Sequence, residues 1–196
     1  MVLTIEGEVA AVIPTPVGTE IQMRLVASDV KGNKVFTEYM GGMLRSVDCG
    51  LQEPDGKPCP SLPDMTPYDK TPWAVSQGVS RRDPYLYDAC SNIVFPIHTS
   101  PSFAQNVGLT DIVLQGTATL GLAVREIVNR EADGKAERVQ AISANFRGMI
   151  KADETIVIQP VGEAKDGESR WVMFEVLNAS GKPAIKNGAV KLGDSS

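Results

Sequence analysis

Whatever imidazole chemistry this chain performs falls to one residue, because His98 is its only histidine. Imidazole takes up and returns a proton near neutral pH, so proton transfer is the chemistry to look for around it. The bland alternative is a structural histidine whose ring nitrogens are satisfied by hydrogen bonds. His98 stands in Phe95-Pro96-Ile97-His98-Thr99-Ser100, followed by Phe103-Ala104 and Gly108. A second segment downstream, Ile112-Val113-Leu114-Gln115-Gly116-Thr117-Ala118-Thr119-Leu120-Gly121-Leu122-Ala123, is rich in small residues. The three cysteines, Cys49, Cys59 and Cys90, are odd in number and lack CxxC spacing. That argues against a disulfide framework and against structural zinc. One histidine also leaves no His-rich metal site within a single chain. No metal and no cofactor are expected, Cys90 reads as a small buried hydrophobe, and a reducing cytoplasm is the plain expectation.

The elements that would position these residues follow from pattern. Glu20 to Val26 alternates polar and apolar residues, as a half-buried strand does. The turn residues Lys31-Gly32-Asn33-Lys34 and the run Val35 to Met40 complete a hairpin. Residues 48–72 carry Pro54, Pro58, Pro60, Pro63, Pro67 and Pro72, a density incompatible with regular helix or central strand. This stretch reads as a linker, with Trp73 docking just beyond it. The alternative is an ordered loop that wraps a neighbour or covers a pocket. Pro84-Tyr85-Leu86-Tyr87 looks like a short segment entering a site. A short helix is expected from about Ser100, with Pro101 at its first position and Gly108 at its stop.

Leu114 to Arg130 is the clearest helix. Leu114, Ala118, Gly121, Leu122, Arg125 and Val128 fall near one face, and only Arg125 is out of place there. The helix should be largely buried, with Gly121 marking close packing on a sheet. Strands are expected at 139–146, 154–159 and 170–177, with a last edge strand at 184–192 and a frayed Gly193-Asp194-Ser195-Ser196. One long helix followed by antiparallel strands is α+β.

Composition narrows the function classes. A 196-residue chain with 42% hydrophobic and 22% charged residues is an ordinary globular one. A net charge of −5 and the absence of a basic stripe speak against nucleic acid. No apolar run approaches the roughly 20 residues of a membrane span. The start, with Glu6 and Glu8 and no basic region, does not read as a secretory signal.

The two segments around His98 and Gly116 together resemble the signature of MaoC-like and (R)-specific enoyl-CoA hydratases. That signature is D-x-N-P-hydrophobic-H, then F-A and Gly, then P-I-hydrophobic-H-G-x-x-T-x-G-x-A opening a helix. The resemblance covers roughly residues 85–160. It implies a hot-dog fold, an antiparallel sheet wrapped around a long central helix. It divides the chain into a partial hot-dog region at 1–47, the proline-rich linker at 48–72 and a complete hot-dog domain at 73–196. It implies His98 as general acid and base, and the Gly116 N–H as the donor that stabilises an enolate oxygen. The family's Asp and Asn fall on Ile93 and Phe95, which cannot handle protons. Asp88 is the candidate substitute carboxylate, with a hydrogen-bonding loop residue as the alternative. Gly116 is equally readable as a plain helix-start glycine. Ile93, Phe95, Tyr85, Tyr87 and Gln115 are the expected substrate-facing residues.

Three functions stay open at this point. The first is a hydro-lyase on an acyl thioester carried by CoA or an acyl carrier protein. The second is an isomerase or cyclase that uses His98 alone on an apolar substrate. The third is a non-catalytic partner of an active homologue. The resemblance further implies a homodimer, or a heterodimer with a related hot-dog chain.

Overall fold

The computed structural model describes residues 2–194, so Ser195 and Ser196, part of the expected frayed end, lie outside the described residues. The chain divides into two compact units, residues 1–62 and 63–196. The boundary thus falls inside the proline-rich stretch rather than after it. None of the described helices is long and apolar enough to cross a membrane.

The first unit is a meander of three long antiparallel strands, β1 (Thr4–Thr15), β2 (Gly18–Ser28) and β3 (Lys34–Arg45). The two-residue strand β4 (Asp55–Gly56) adds to the outer edge of β1, giving the order β3-β2-β1-β4. The expected hairpin is therefore β2–β3, and it is longer than the alternation suggested. Register places Ile5, Ala27 and Phe36 side by side, and likewise Val9, Met23 and Met40. One face of the sheet is apolar as a result. Glu8 and Arg24 pair on the other. The described residues of this unit include no helix.

The second unit contains His98 and Gly116. Its sheet runs β5 (Thr66–Pro67), β10 (Glu154–Asp166), β11 (Ser169–Leu177), β12 (Pro183–Leu192) and β8 (Val139–Phe146), all antiparallel. β6 (Val75–Val79) also pairs with β10, beside residues 154–158. A small ladder joins β7 (Val113–Leu114) to β9 (Ile150–Lys151). β12 is not the last edge strand expected for residues 184–192. It lies between β11 and β8, because the last strand comes back to pair with β8, which precedes it in the chain.

Helix α3 (Gly116–Glu131) lies on this sheet. In β11 every second residue points at it, so Val172, Phe174 and Val176 are buried while their neighbours are not. Ala123 and Ile127 of α3 meet Ile156, Ile158, Phe174, Ile185 and Val190 in one apolar cluster. A side chain of this size stabilises by about 1.5–3 kcal/mol when fully buried. The packing is close at Gly188, where a side chain would run into the Phe174 ring. This is the hot-dog arrangement.

The buried face of α3 differs from the expected one. Ala118, Thr119, Ala123, Glu126 and Ile127 point inward, whereas Gly121 and Arg125 are exposed together. Nothing lies within 4 Å of a side chain added at Gly121, so it marks no close approach. Arg125 is out of place only on the expected face. Leu114 belongs to β7, and the helix begins two residues later.

Residues 63–73 are bound into the second unit rather than free. Thr66 and Pro67 form the edge strand β5. Tyr68 Oη and Trp73 Nε1 both donate to Glu131 Oε1, at 2.5 and 2.9 Å. Lys70 and Arg170 reach Glu131 Oε2 at 3.2 and 2.6 Å. The guanidinium of Arg130 stacks over the Trp73 ring at 5.1 Å. A carboxylate 3% exposed at the last residue of α3 thus ties the proline-rich segment to the helix end.

Candidate active site

The site is organised by the three residues that lead into α3. Ile112, Val113 and Leu114 are buried, and β7 is held by its ladder with β9, so this segment is rigid. Two other elements are anchored to it. The first is α1 (Asp83–Ser91), which contains Tyr85, Tyr87 and Asp88. The segment from Pro84 to Tyr87 is therefore helical. Arg81, just before α1, grips Asp111 with both guanidinium nitrogens at 2.5 and 2.9 Å, and holds the Asp111 carboxyl below the usual carboxylate range. The Arg81 backbone N–H also donates to Asp153. Gln115 then joins α1 to the start of α3. Its Nε2 donates to Pro84 O at 3.0 Å and to Asp88 Oδ1 at 2.5 Å.

The second anchored element is the turn Pro96–His98, a single 3₁₀ turn that runs into α2 (Pro101–Asn106). Ser100 caps α2, accepting from the Phe103 N–H, and Gly108 follows with φ +87°. The expected start and stop both stand. His98 is half-buried at the end of the turn, and its Nδ1 lies 2.8 Å from Val113 O. A backbone carbonyl can only accept, so Nδ1 carries a hydrogen, and in the neutral ring Nε2 then carries the lone pair. That tautomer is the one a general base needs on the nitrogen facing away from its tether. The Phe95 ring stands edge-on to the imidazole, 5.9 Å between centroids, and edge-on to Phe103 at 6.5 Å. Phe95 is 50% exposed.

Gly116 is the first residue of α3 and is exposed. Gln115, at the capping position, spends its side chain on α1 and does not cap the helix. The first N–H groups of α3 are left for an incoming acceptor, with the positive end of the helix dipole behind them. A side chain at position 116 would stand 3.0 Å from the Phe146 ring, so glycine keeps the approach narrow but open.

The structure ties His98 to Val113 and Asp88 to Gln115, the residue before Gly116, and sets Phe95 against His98. Not all the expected residues are so tied. Among the described residues no hydrogen bond or ring contact joins Ile93, Tyr85 or Tyr87 to His98. Tyr87 packs against the apolar cluster instead, and Ile93 and Tyr85 are exposed. Cys90 is exposed rather than buried, since it lies on the outer side of α1. The two described cavities lie elsewhere, in the first unit. One of about 360 Å³ is lined by Glu8, Arg24, Tyr39 and Lys57, and one of about 530 Å³ by residues 14–19 and 45–49. Neither touches His98.

Sequence reasoning missed two relationships. The His98–Val113 tether runs to a main-chain oxygen, which no residue type announces. The Glu131 cluster draws partners from 39 to 63 positions away, and its only local sign is a glutamate closing an apolar helix.

The chain is 29% identical over 103 residues to the enoyl-CoA hydratase ChsH3 of Mycobacterium tuberculosis, covering 53% of this chain and 36% of that protein. It is 25% identical over 128 residues to a probable enoyl-CoA hydratase 2 of Dictyostelium discoideum, covering 64% of this chain and 42% of that one. The chain therefore spans well under half the length of these relatives. Its fold is that of a MaoC-like dehydratase from Phytophthora capsici, with a TM-score of 0.83 at 19% identity over 99% of this chain and 66% of the other. The shorter (R)-hydratase of A. caviae, involved in PHA biosynthesis, aligns over 63% of this chain and 95% of its own at TM-score 0.55 and 15% identity. The model of the MaoC-like domain matches residues 62–178, more than half of the chain, which therefore belongs to the MaoC-like dehydratase family.

Proposed function

We propose that this protein is a hydro-lyase, adding water to or removing it from the Cα–Cβ bond of an acyl thioester carried by CoA or an acyl carrier protein. One observation carries the reading. His98 and Asp88 come from different elements, yet both are tied to residues 113–115, immediately before the uncapped start of α3. These two tethers support a site in which a base, a carboxylate and the first N–H groups of α3 act together.

Each has a task. In the hydration direction the lone pair on His98 Nε2 takes a proton from water while its oxygen bonds to Cβ. The double-bond electrons move through Cα onto the thioester oxygen, which the α3 N–H groups at Gly116 receive. The imidazolium then returns its proton to Cα, directly or relayed through the Asp88 carboxylate. Dehydration runs the same steps backwards. Asp88 stands in for the carboxylate that Ile93 lacks, and Gln115 fixes its position. The open surroundings of Phe95 and Gly116 support a second copy, or a related hot-dog chain, as the wall that closes the site. The three free cysteines fit a reducing compartment such as the cytoplasm.

The test is turnover of crotonyl or a longer enoyl thioester, followed at the thioester-conjugated double bond. Wild-type activity that His98→Ala abolishes supports the assignment. Full turnover in His98→Ala, or none in the wild type, rejects it. A second reading is favoured by the Phe95 ring against the imidazole: isomerisation or cyclisation of an apolar substrate without water. It predicts product of unchanged mass, and no ¹⁸O incorporation from labelled water.

A further inference from the structure

Gln115 is 2% exposed, and its amide has only one possible orientation. The Pro84 carbonyl, 3.0 Å from one end of that amide, can accept but not donate, so nitrogen must face it. The same nitrogen meets the Asp88 carboxylate at 2.5 Å. Both amide hydrogens are thereby used. What remains is Oε1, the one buried side-chain nitrogen or oxygen among the described residues without a hydrogen-bond partner. Leaving a buried acceptor unsatisfied costs about 1–3 kcal/mol, and native interiors keep such atoms rare. Turning the amide over would satisfy nothing, because oxygen would then face the Pro84 carbonyl. The atom belongs to the residue before Gly116 and is linked through its own amide to Asp88.

We propose that Gln115 determines specificity, its Oε1 accepting a hydrogen bond from the β-hydroxyl of a 3-hydroxyacyl thioester or, in the hydration direction, from the water that becomes that hydroxyl. The inference rests on the hydro-lyase reading and names the group on the substrate that this acceptor recognises. The chemistry selects it. An acceptor needs a donor, and the thioester carbonyl has none, nor do the unsaturated carbons. At the acyl end, the hydroxyl or its parent water is the only O–H. Water has two hydrogens: one can go to Gln115 Oε1 while the other faces the lone pair of His98 Nε2 that removes it, which leaves the water's own lone pair for the carbon it attacks. The family signature has a histidine at this position. Gln115 replaces it with a group that stays neutral, does not titrate and can offer an oxygen.

The test compares two ligands on one carrier, 3-hydroxybutyryl-CoA and butyryl-CoA, binding to the full chain in calorimetry. Any contact with the carrier's own amides is common to both and cancels. The wild type should prefer the hydroxylated ligand by roughly tenfold, the worth of one buried hydrogen bond. In Gln115→Met, which keeps the length and apolar body of the side chain, the preference should fall to within about twofold. A merely structural Gln115 would weaken both ligands equally and leave the ratio unchanged. A measurement on the wild type alone guards against misfolding of the variant. The ¹³Cδ resonance of Gln115 should shift with the hydroxylated ligand and not with the saturated one. A wild type without preference, or a variant that retains it, overturns the inference. Crotonyl-CoA turnover is scored separately. Turnover without discrimination removes this inference and leaves the hydro-lyase reading, and discrimination without turnover does the reverse.

Discussion

The Nδ1 atom of His98 lies 2.8 Å from the carbonyl oxygen of Val113, so the imidazole is held by main chain that is itself fixed in the β7–β9 ladder. The tether aims the ring and sets its tautomer without using a second titratable group. His98→Ala should therefore lower turnover of an enoyl thioester by about 10²–10⁴-fold, the usual worth of a positioned acid or base. The ring is half-buried and its partner is a carbonyl beside a stable ladder, so the circular dichroism spectrum should be unchanged. A variant that loses activity only because it has unfolded would show both changes together.

Asp88→Asn separates two routes for the second proton. If Asp88 protonates Cα, the variant should lose activity comparably to His98→Ala. If the imidazolium returns the proton itself, the loss should stay below about tenfold. Asparagine can turn its carbonyl to accept from Gln115 Nε2, so thermal stability should hold in either case, and scanning calorimetry checks that. Together with His98→Ala, the double variant should show non-additive losses if the two groups act on one water.

Gly116→Ala probes the opening of α3. Alanine favours helix over glycine by up to about 1 kcal/mol, so stability should rise slightly or stay level. The new methyl, however, would stand 3.0 Å from the Phe146 ring, half-exposed and able to turn into the approach. The expected result is an increased KM and a reduced kcat/KM for enoyl thioester, with an unchanged or raised midpoint in thermal unfolding. Unchanged kinetics would place the thioester elsewhere than at this helix end.

Much of this architecture was legible because it is periodic. The strand at 139–146 has the expected bounds, and the α3 boundaries shift by only a residue or two, since turn residues and apolar repeats are local signals. Which face of α3 is buried was not legible. Gly121 and Arg125 share the exposed stripe with Gly116 and Thr117, and small size alone does not say whether a glycine faces a sheet or solvent. Nor was the place of β12, because strand order depends on pairing across 40 or more residues, as between Lys186 and Asn145 or Leu192 and Val139. At the candidate site, motif spacing singled out His98, but its tether to the Val113 carbonyl left no mark in residue types. Tyr87, selected for its type, instead faces the apolar cluster.

Packing around Phe174 supplies a stability prediction independent of function. The ring is fully buried and fills the space a side chain at Gly188 would need. Gly188→Ala should destabilise by about 1–3 kcal/mol through overpacking, read as a lower midpoint in urea at unchanged slope. Gly121→Ala is the contrast. Nothing lies near it, it sits mid-helix, and it should stabilise by up to about 1 kcal/mol.

The carboxylate of Glu131 makes stability depend on pH at both extremes. Burial alone would raise its pKa, but hydrogen bonds from Tyr68, Arg170, Trp73 and Lys70 outweigh that and bring it down to about 2. A carboxyl with a depressed folded pKa stabilises fully above its unfolded value, near 4.5, and loses that contribution as pH falls towards 2. Tyr68 mirrors it. Burial, then the bond to Glu131 and its negative charge, push the phenol up to about 12. A phenol with a raised folded pKa stabilises fully below its ordinary value near 10, and loses that as pH rises through 12. Between those limits the cluster holds residues 68–73 on the end of α3. Glu131→Gln keeps the shape and removes the charge, leaving Arg170 without its strongest partner. At pH 7 it should cost about 3–5 kcal/mol, since the side chain is 3% exposed and Arg170 and Lys70 lose their counter-charge. Urea unfolding of wild type and variant, repeated from pH 7 to pH 2.5, should show the gap narrowing only below about pH 4.5. Limited proteolysis should then find new cleavage within residues 63–73 of the variant at neutral pH. A gap that stays constant across that range would mean that the carboxylate's charge contributes nothing to the staple.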